Sequence, residues 1–309
     1  MSFPRTTRAL RAALEAAGLA PRKAHGQCFL TDAQAVDAIV RDAGVRPGDR
    51  VVEVGTGPGL LTYALAELGA EVVSFDIDAD IQAFAQGLCE WPAAVRFVQG
   101  DVLEGKHRLA DAFRAALEAP AAGGGRRLLV SNLPYGAATP ILLGVLALPQ
   151  PPQEMTVMVQ REVAEKLLAH PPDPAYGAPS VQVGLLATGR ILRRYGPEVF
   201  WPQPRVQSAL LRLAPRAPAL LEPQECAPLA AFVTALFGLR RKMLSSSLPL
   251  LVEGRAPGAV GEALARAAVA PTQRPQEVEP VRMLALWRAL GRPAAGRAGR
   301  DATGEGAGA

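Results

Sequence analysis

Between residues 50 and 160 short β-rich runs alternate with helical stretches, and that order leaves few folds open. The runs cover residues 51–54, 71–75, 95–98, 128–130 and 155–159. Strands of this kind, joined through helical segments, form a parallel sheet covered by helices. Runs at 181–187, 191–195 and 208–213 predict further strands. Upstream, Leu10 and Leu14, and then Val36, Ile39 and Val40, have helical spacing and predict helices over 5–17 and 32–43. After Pro215-Arg216-Ala217-Pro218 only helical spacing remains, over 227–237, 258–268 and 281–290. A chain of 309 residues, 49% hydrophobic, is long enough for two cores. The expected organisation is a basic helix and arm (1–25), an α/β domain (26–215), a helical domain (216–291) and a disordered Gly/Ala/Arg-rich tail (292–309).

Several function classes fall away on composition. The longest apolar stretch, residues 141–148, is far short of the roughly 20 residues of a bilayer crossing. The first 30 residues have no compact apolar core with a cleavage site, so a cytoplasmic protein is expected. Three scattered cysteines and three scattered histidines predict neither a disulfide framework nor a metal site. The modest net charge of +4 conceals a segregation. Residues 1–30 carry five basic side chains against one acidic, 31–189 eleven against nineteen, and 190–309 seventeen against nine. Basic ends attract a polyanion, and an acidic middle suits a small cationic ligand.

The first strand runs into Glu53-Val54-Gly55-Thr56-Gly57-Pro58-Gly59 and then a helix. Glycine permits the tight turn and lets a ligand lie against the backbone, while Pro58 removes an amide that a phosphate nest would use. Asp76, at the next strand end and 21 residues beyond Gly55, is placed to accept both hydroxyls of a ribose. Asp101, at the third strand end, is placed to accept from an adenine amino group. A nucleoside ligand is predicted, and these residues alone do not separate a dinucleotide from S-adenosylmethionine.

The fourth strand ends in Asn132-Leu133-Pro134-Tyr135. The lone pair of an aromatic amine is delocalised into its ring, so a catalyst that alkylates it must first localise that pair. The Asn132 oxygen and a backbone carbonyl at Leu133 or Pro134 can each accept one N–H, favouring a pyramidal nitrogen. Pro134 fixes its own φ and holds Leu133 extended. Tyr135 offers a face on which an extruded base can stack.

With this corner in place, the sequence resembles the KsgA-type ribosomal RNA small-subunit adenine dimethyltransferase family over roughly residues 20–290. The resemblance also rests on Gly26-Gln27-Cys28-Phe29-Leu30, on the glycine loop, on Phe200-Trp201-Pro202-Gln203-Pro204-Arg205-Val206-Gln207-Ser208, and on Phe237-Gly238-Leu239-Arg240-Arg241-Lys242-Met243-Leu244. It implies a Rossmann-like S-adenosylmethionine-dependent methyltransferase with a small C-terminal helical, RNA-binding domain. The implied reaction is N6,N6-dimethylation of two adjacent adenosines in the 3′-terminal hairpin of small-subunit rRNA. The implied partner is that RNA or an immature small ribosomal subunit, met by a monomer.

By motif position, Gln27, Cys28, Leu30, Gly55, Gly57, Asp76, Ile77, Asp101, Val102 and Asn132 line the cofactor site. Asn132, Leu133, Pro134 and Tyr135 form the catalytic corner. Phe200 is either an aromatic against the target base or a core residue. Arg22, Lys23, Arg205, Arg240, Arg241 and Lys242 are the candidate RNA contacts. Cys28 departs from the family's Asn or His, replacing a side-chain hydrogen bond by a weak thiol contact. The alternatives are a large-subunit rRNA adenine methyltransferase of the antibiotic-resistance type and a ribosome-assembly factor with subordinate catalysis.

Overall fold

The computed structural model describes residues 3–22, 27–106, 108–252 and 258–293. In chain order the elements are α1 (Thr7–Ala16), β1 (Phe29–Leu30), α2 (Ala33–Ala43), β2 (Arg50–Val54), α3 (Leu60–Glu67), β3 (Glu71–Asp76), α4 (Ala79–Gly87) and β4 (Val95–Gln99). A small hairpin, β5 (Leu103–Glu104) and β6 (Arg108–Leu109), precedes α5 (Asp111–Glu118), β7 (Arg127–Asn132), α6 (Ala138–Leu146), β8 (Glu154–Gln160) and α7 (Arg161–Leu168). Then come α8 (Ala178–Leu186), β9 (Ala187–Tyr195), β10 (Phe200–Trp201) and β11 (Ser208–Pro215). The last helices are α9 (Pro223–Gly238), α10 (Leu244–Ser247), α11 (Ala259–Arg266) and α12 (Pro280–Ala289).

One compact unit holds the residues up to Ala164 together with Thr188–Pro215. Its seven-stranded sheet has the order β4-β3-β2-β7-β8-β11-β9. The pairs from β4 through β8 are parallel, as the β–α alternation predicts, and β11 returns antiparallel to β8. The predicted strands at 51–54, 71–75, 95–98, 128–130 and 155–159 all form. Val36 and Ile39 of α2 and Leu61 and Leu65 of α3 bury against Val51, Val72, Leu128 and Met158 of the sheet. Each such side chain contributes about 1.5–3 kcal/mol when fully buried. Asp32 starts α2 by accepting the Ala35 amide at 2.7 Å, and Gly44, at φ 60°, ends it. The two-residue ribbon β1–β10 pairs Phe29 with Trp201 and Leu30 with Phe200.

The other unit holds Glu165–Ala187 and the described residues from Arg216 onward. Leu229, Phe232 and Leu236 of α9 and Leu286 and Trp287 of α12 are its centre, all at most 1% exposed. Glu225 in the first turn of α9 pairs with Arg288 and Arg292, and those cations hold its carboxyl below the usual range. Arg292 and Pro293, expected in the tail, are therefore anchored, the latter by the Trp287 indole N–H on its carbonyl at 3.0 Å. The remainder of that tail lies outside the described residues.

The strand expected over 181–187 is instead helix α8, a correction with a plain cause. Val181, Val183 and Leu185 alternate in sequence, but all three are buried, because α8 is covered around most of its circumference. A helix buried on most sides has no polar face to reveal its period. Consequently the helical unit also takes in residues before the expected boundary near residue 215.

Candidate active site

The glycine loop crosses the ends of β2 and β3 with Gly55, Gly57 and Gly59 at φ 81°, 51° and 87°. These dihedrals strain any side chain, and at Gly57 a Cβ would also meet the Phe29 ring at 3.3 Å. The loop amides turn inward. Gly55 and Thr56 donate to the Phe75 carbonyl at 2.7 and 3.2 Å, and Gly57 donates to Asp76 Oδ2 at 2.9 Å. Asp76 Oδ1 accepts the Asp78 amide at 2.9 Å. Those amides are spent inside the protein, which fits a nucleoside lying on the loop rather than a phosphate held by it.

A cleft opens beside the loop, with ≈ 760 Å³ of space continuous with solvent. Of the residues expected at the cofactor, Gln27, Cys28, Leu30, Gly55, Gly57, Asp76, Ile77 and Asn132 line it, and so do Leu133, Pro134 and Tyr135. Asp101 and Val102 are not among the lining residues. Asp101 is exposed and accepts the Leu103 amide at 2.9 Å, and Val102 is buried. Phe200 is 3% exposed and belongs to a buried cluster with Leu30, Met158 and Leu210. Its reading as a ring against the base is corrected to a core aromatic, because pairing with β1 carries it into that cluster.

Sequence reasoning gave no role to the wall residue Phe29, which packs with Leu14 and Ile81, nor to Glu53. The carboxylate of Glu53 is 1% exposed, and one of its oxygens accepts the Thr62 and Ser74 hydroxyls at 2.5 and 2.7 Å. The available signal was an acid set inside an otherwise apolar strand. Burial, opposed by those two hydroxyls, pushes its pKa from 4.5 up to about 8. Between those values the folded state keeps a proton that the unfolded chain has released, so this group makes stability fall as pH rises, by about 1.4 kcal/mol per pH unit. Glu53→Gln, which mimics the protonated form, is expected to melt higher than the parent at pH 8 and to lose that slope. Thermal melts from pH 5 to 9 check this, and parallel curves for the two proteins would refute it.

The corner 132–135 forms the opposite wall. Asn132 Nδ2 donates to the Cys28 carbonyl at 3.4 Å, while its Oδ1 is buried and has no hydrogen-bond partner among the described residues. The Leu133 amide bonds the Met158 carbonyl at 3.0 Å, and the Pro134 carbonyl accepts the Ala137 amide at 3.0 Å. The Leu133 carbonyl holds no hydrogen bond among the described residues. Tyr135 shares a hydrogen bond of 3.0 Å with the Ser208 hydroxyl, and burial raises its phenol pKa. Burial likewise keeps the Cys28 thiol protonated, a weak donor. The Asn132 amide oxygen and the carbonyl of the next residue are thus two acceptors that carry no internal hydrogen bond among the described residues. The loop, Asp76 and this corner together fit a nucleoside cofactor on one side and an amine on the other.

The candidate RNA contacts divide. Arg22 pairs with Asp78 and Asp80, so its charge is already matched. Lys23 lies outside the described residues. Arg205 is exposed, as are Arg240, Arg241 and Lys242 in the turn after α9, and none of these four has an ion pair among the described residues. Arg193 forms a two-point contact with Asp42.

A family model described as ribosomal RNA adenine dimethylase matches residues 18–277. A protein from Phenylobacterium zucineum named ribosomal RNA small subunit methyltransferase A is 41% identical over 242 residues, 78% of this chain and 81% of its own. One of the same name from Azorhizobium caulinodans is 38% identical over 302 residues, 96% of this chain and 97% of its own. Among solved structures, a dimethyladenosine transferase from Plasmodium falciparum has a TM-score of 0.67 at 20% identity, covering 85% of this chain and 98% of that one. The 23S rRNA methyltransferase ErmE has a TM-score of 0.58 at 26% identity, covering 85% and 99%. The glycine loop, Asp76 and the acceptor-bearing corner thus occur in a chain that belongs to the ribosomal RNA adenine dimethylase family.

Proposed function

We propose that the protein uses S-adenosylmethionine, the methyl donor of its family, to convert two adjacent adenosines in the 3′-terminal hairpin of small-subunit ribosomal RNA to N6,N6-dimethyladenosine. The observation that carries this reading is the pair of unsatisfied acceptors at the corner, Asn132 Oδ1 and the Leu133 carbonyl. Two acceptors suit the two hydrogens of an exocyclic amine and leave its lone pair directed away from both. The donor, when bound, supplies an electrophilic methyl group on a positively charged sulfur. Asp76 holds the ribose hydroxyls, and the acidic middle of the chain favours the cationic donor over its neutral product. Pro134 stiffens the Leu133 carbonyl, and the Tyr135 ring supports the base.

The chemistry requires alignment more than proton transfer. The amine becomes acidic only after the methyl has arrived, so its proton leaves to water and no side chain is assigned as general base. After one transfer the nitrogen has a single N–H, and one acceptor suffices to orient the second. Arg205, Arg240, Arg241 and Lys242 are available for phosphates. Among the described residues no helix is long and apolar enough to cross a membrane.

The choice of small-subunit RNA is supported by relatives of that name at 38–41% identity, against 26% for the 23S enzyme. Incubation with labelled donor and either immature small or large subunits, followed by mapping of modified bases, tests it. Label in two neighbouring adenosines of the small-subunit RNA is expected. Label confined to large-subunit RNA would assign the protein to the antibiotic-resistance type.

A further inference from the structure

The β2–β7 ladder runs in register from Arg50–Arg127 through Val52–Leu129 and then stops. Two residues further, Val54 and Ser131 are opposite one another, at the point where the glycine loop and the corner leave the sheet on the two sides of the cleft. Val54 is 4% exposed, so its backbone groups need partners. Ser131 supplies them. Its hydroxyl accepts the Val54 amide at 3.2 Å and donates to the Val54 carbonyl at 2.5 Å. A side chain thus replaces the backbone ladder as the strands part. A hydroxyl bridge spans a wider gap than a direct backbone bond, so it joins the strands and holds them apart.

The far end of the corner is tied in the same manner. Ser208, the first residue of β11, is fully buried, and its hydroxyl meets the Tyr135 phenol at 3.0 Å. Neither serine lines the cleft, and one hydroxyl precedes Asn132 while the other holds Tyr135. We propose that Ser131 and Ser208 are positioning residues that fix the two ends of the corner 132–135 and so set the distance between the acceptor pair and the glycine loop. The proposal rests on the functional reading above and adds to it two residues that act through others.

For Ser131→Ala, kcat on a ribosomal RNA substrate is expected to fall about tenfold, with the Kd for the donor changing less than threefold. Such a split reflects displaced acceptors rather than a lost binding contact. Ser131→Thr keeps the hydroxyl and is expected to recover most of the rate. For the other end, Ser208→Ala and Tyr135→Phe remove the same hydrogen bond. Each is expected to lower kcat severalfold, and the double variant no further than either single one.

A kcat within twofold of the parent in Ser131→Ala, or an equal loss in Ser131→Thr, overturns the role of Ser131. Additive losses at Ser208 and Tyr135 overturn the other tie. If Ser131→Ala is unfolded at the assay temperature, Ser131→Cys, whose thiol is only a weak donor and acceptor, carries the test: a severalfold loss of kcat supports the role and parental kcat overturns it. A parent enzyme that methylates no ribosomal RNA defeats the functional reading itself. A fully active parent with equally active variants defeats only the positioning role.

Discussion

Replacing Asn132 by Ala is expected to lower kcat by about 10²- to 10³-fold, the usual consequence of deleting one preorganised polar group at a reacting centre. The buried Asn132 Oδ1 has no partner among the described residues, so its removal leaves no unsatisfied donor there. The main loss should therefore fall on the reaction. Donor affinity is expected to weaken only modestly, since the Asn132 amide also steadies the Cys28 carbonyl on the cleft wall. Turnover on a ribosomal RNA substrate and donor Kd by calorimetry separate the two effects. Near-parental turnover would remove Asn132 from the reacting centre.

Asp76→Ala is expected to act on the other axis, raising the Kd for the donor by about 10²- to 10⁴-fold through loss of two hydrogen bonds to a charged acceptor, each about 1.5–3 kcal/mol. The same change frees the amides of Gly57 and Asp78, so the loop it anchors loosens as well. Saturating donor should restore much of the rate, which distinguishes this variant from Asn132→Ala. Calorimetric titration with S-adenosylmethionine checks it, and a Kd within threefold of the parent would sink the assignment.

Much of the catalytic unit was legible because its strands are short, apolar and regularly interrupted. Glycines in a strand-to-helix turn and an Asn-Leu-Pro-Tyr corner are local features, and the structure puts both on one cleft. What escaped is non-local. For Phe200 the sequence leaves a ring against the base and a core aromatic equally open, and only its pairing with Leu30, 170 positions away, shows that it is buried. Glu53 reads as the first letter of a motif, and its proton affinity depends on Thr62 and Ser74 arriving from a helix and another strand. The Ser131 bridge has no local signature, because Val54 lies 77 residues earlier in the chain. The ion pairs of Arg22 are equally non-local, since Asp78 at the N-cap of α4 and Asp80 within it follow more than 50 residues later.

The ribbon of Phe29–Leu30 with Phe200–Trp201 has a consequence for how the protein is made. During synthesis the β2–α3–β3 segment emerges early and its pieces are near neighbours, so the floor under the nucleoside can assemble while translation continues. The Cys28–Leu30 flank has no strand to pair with until some 170 more residues have emerged. A nascent chain halted before Phe200 should therefore carry a glycine turn and a corner but no finished pocket, and affinity for the donor should arrive late and abruptly as the polypeptide lengthens.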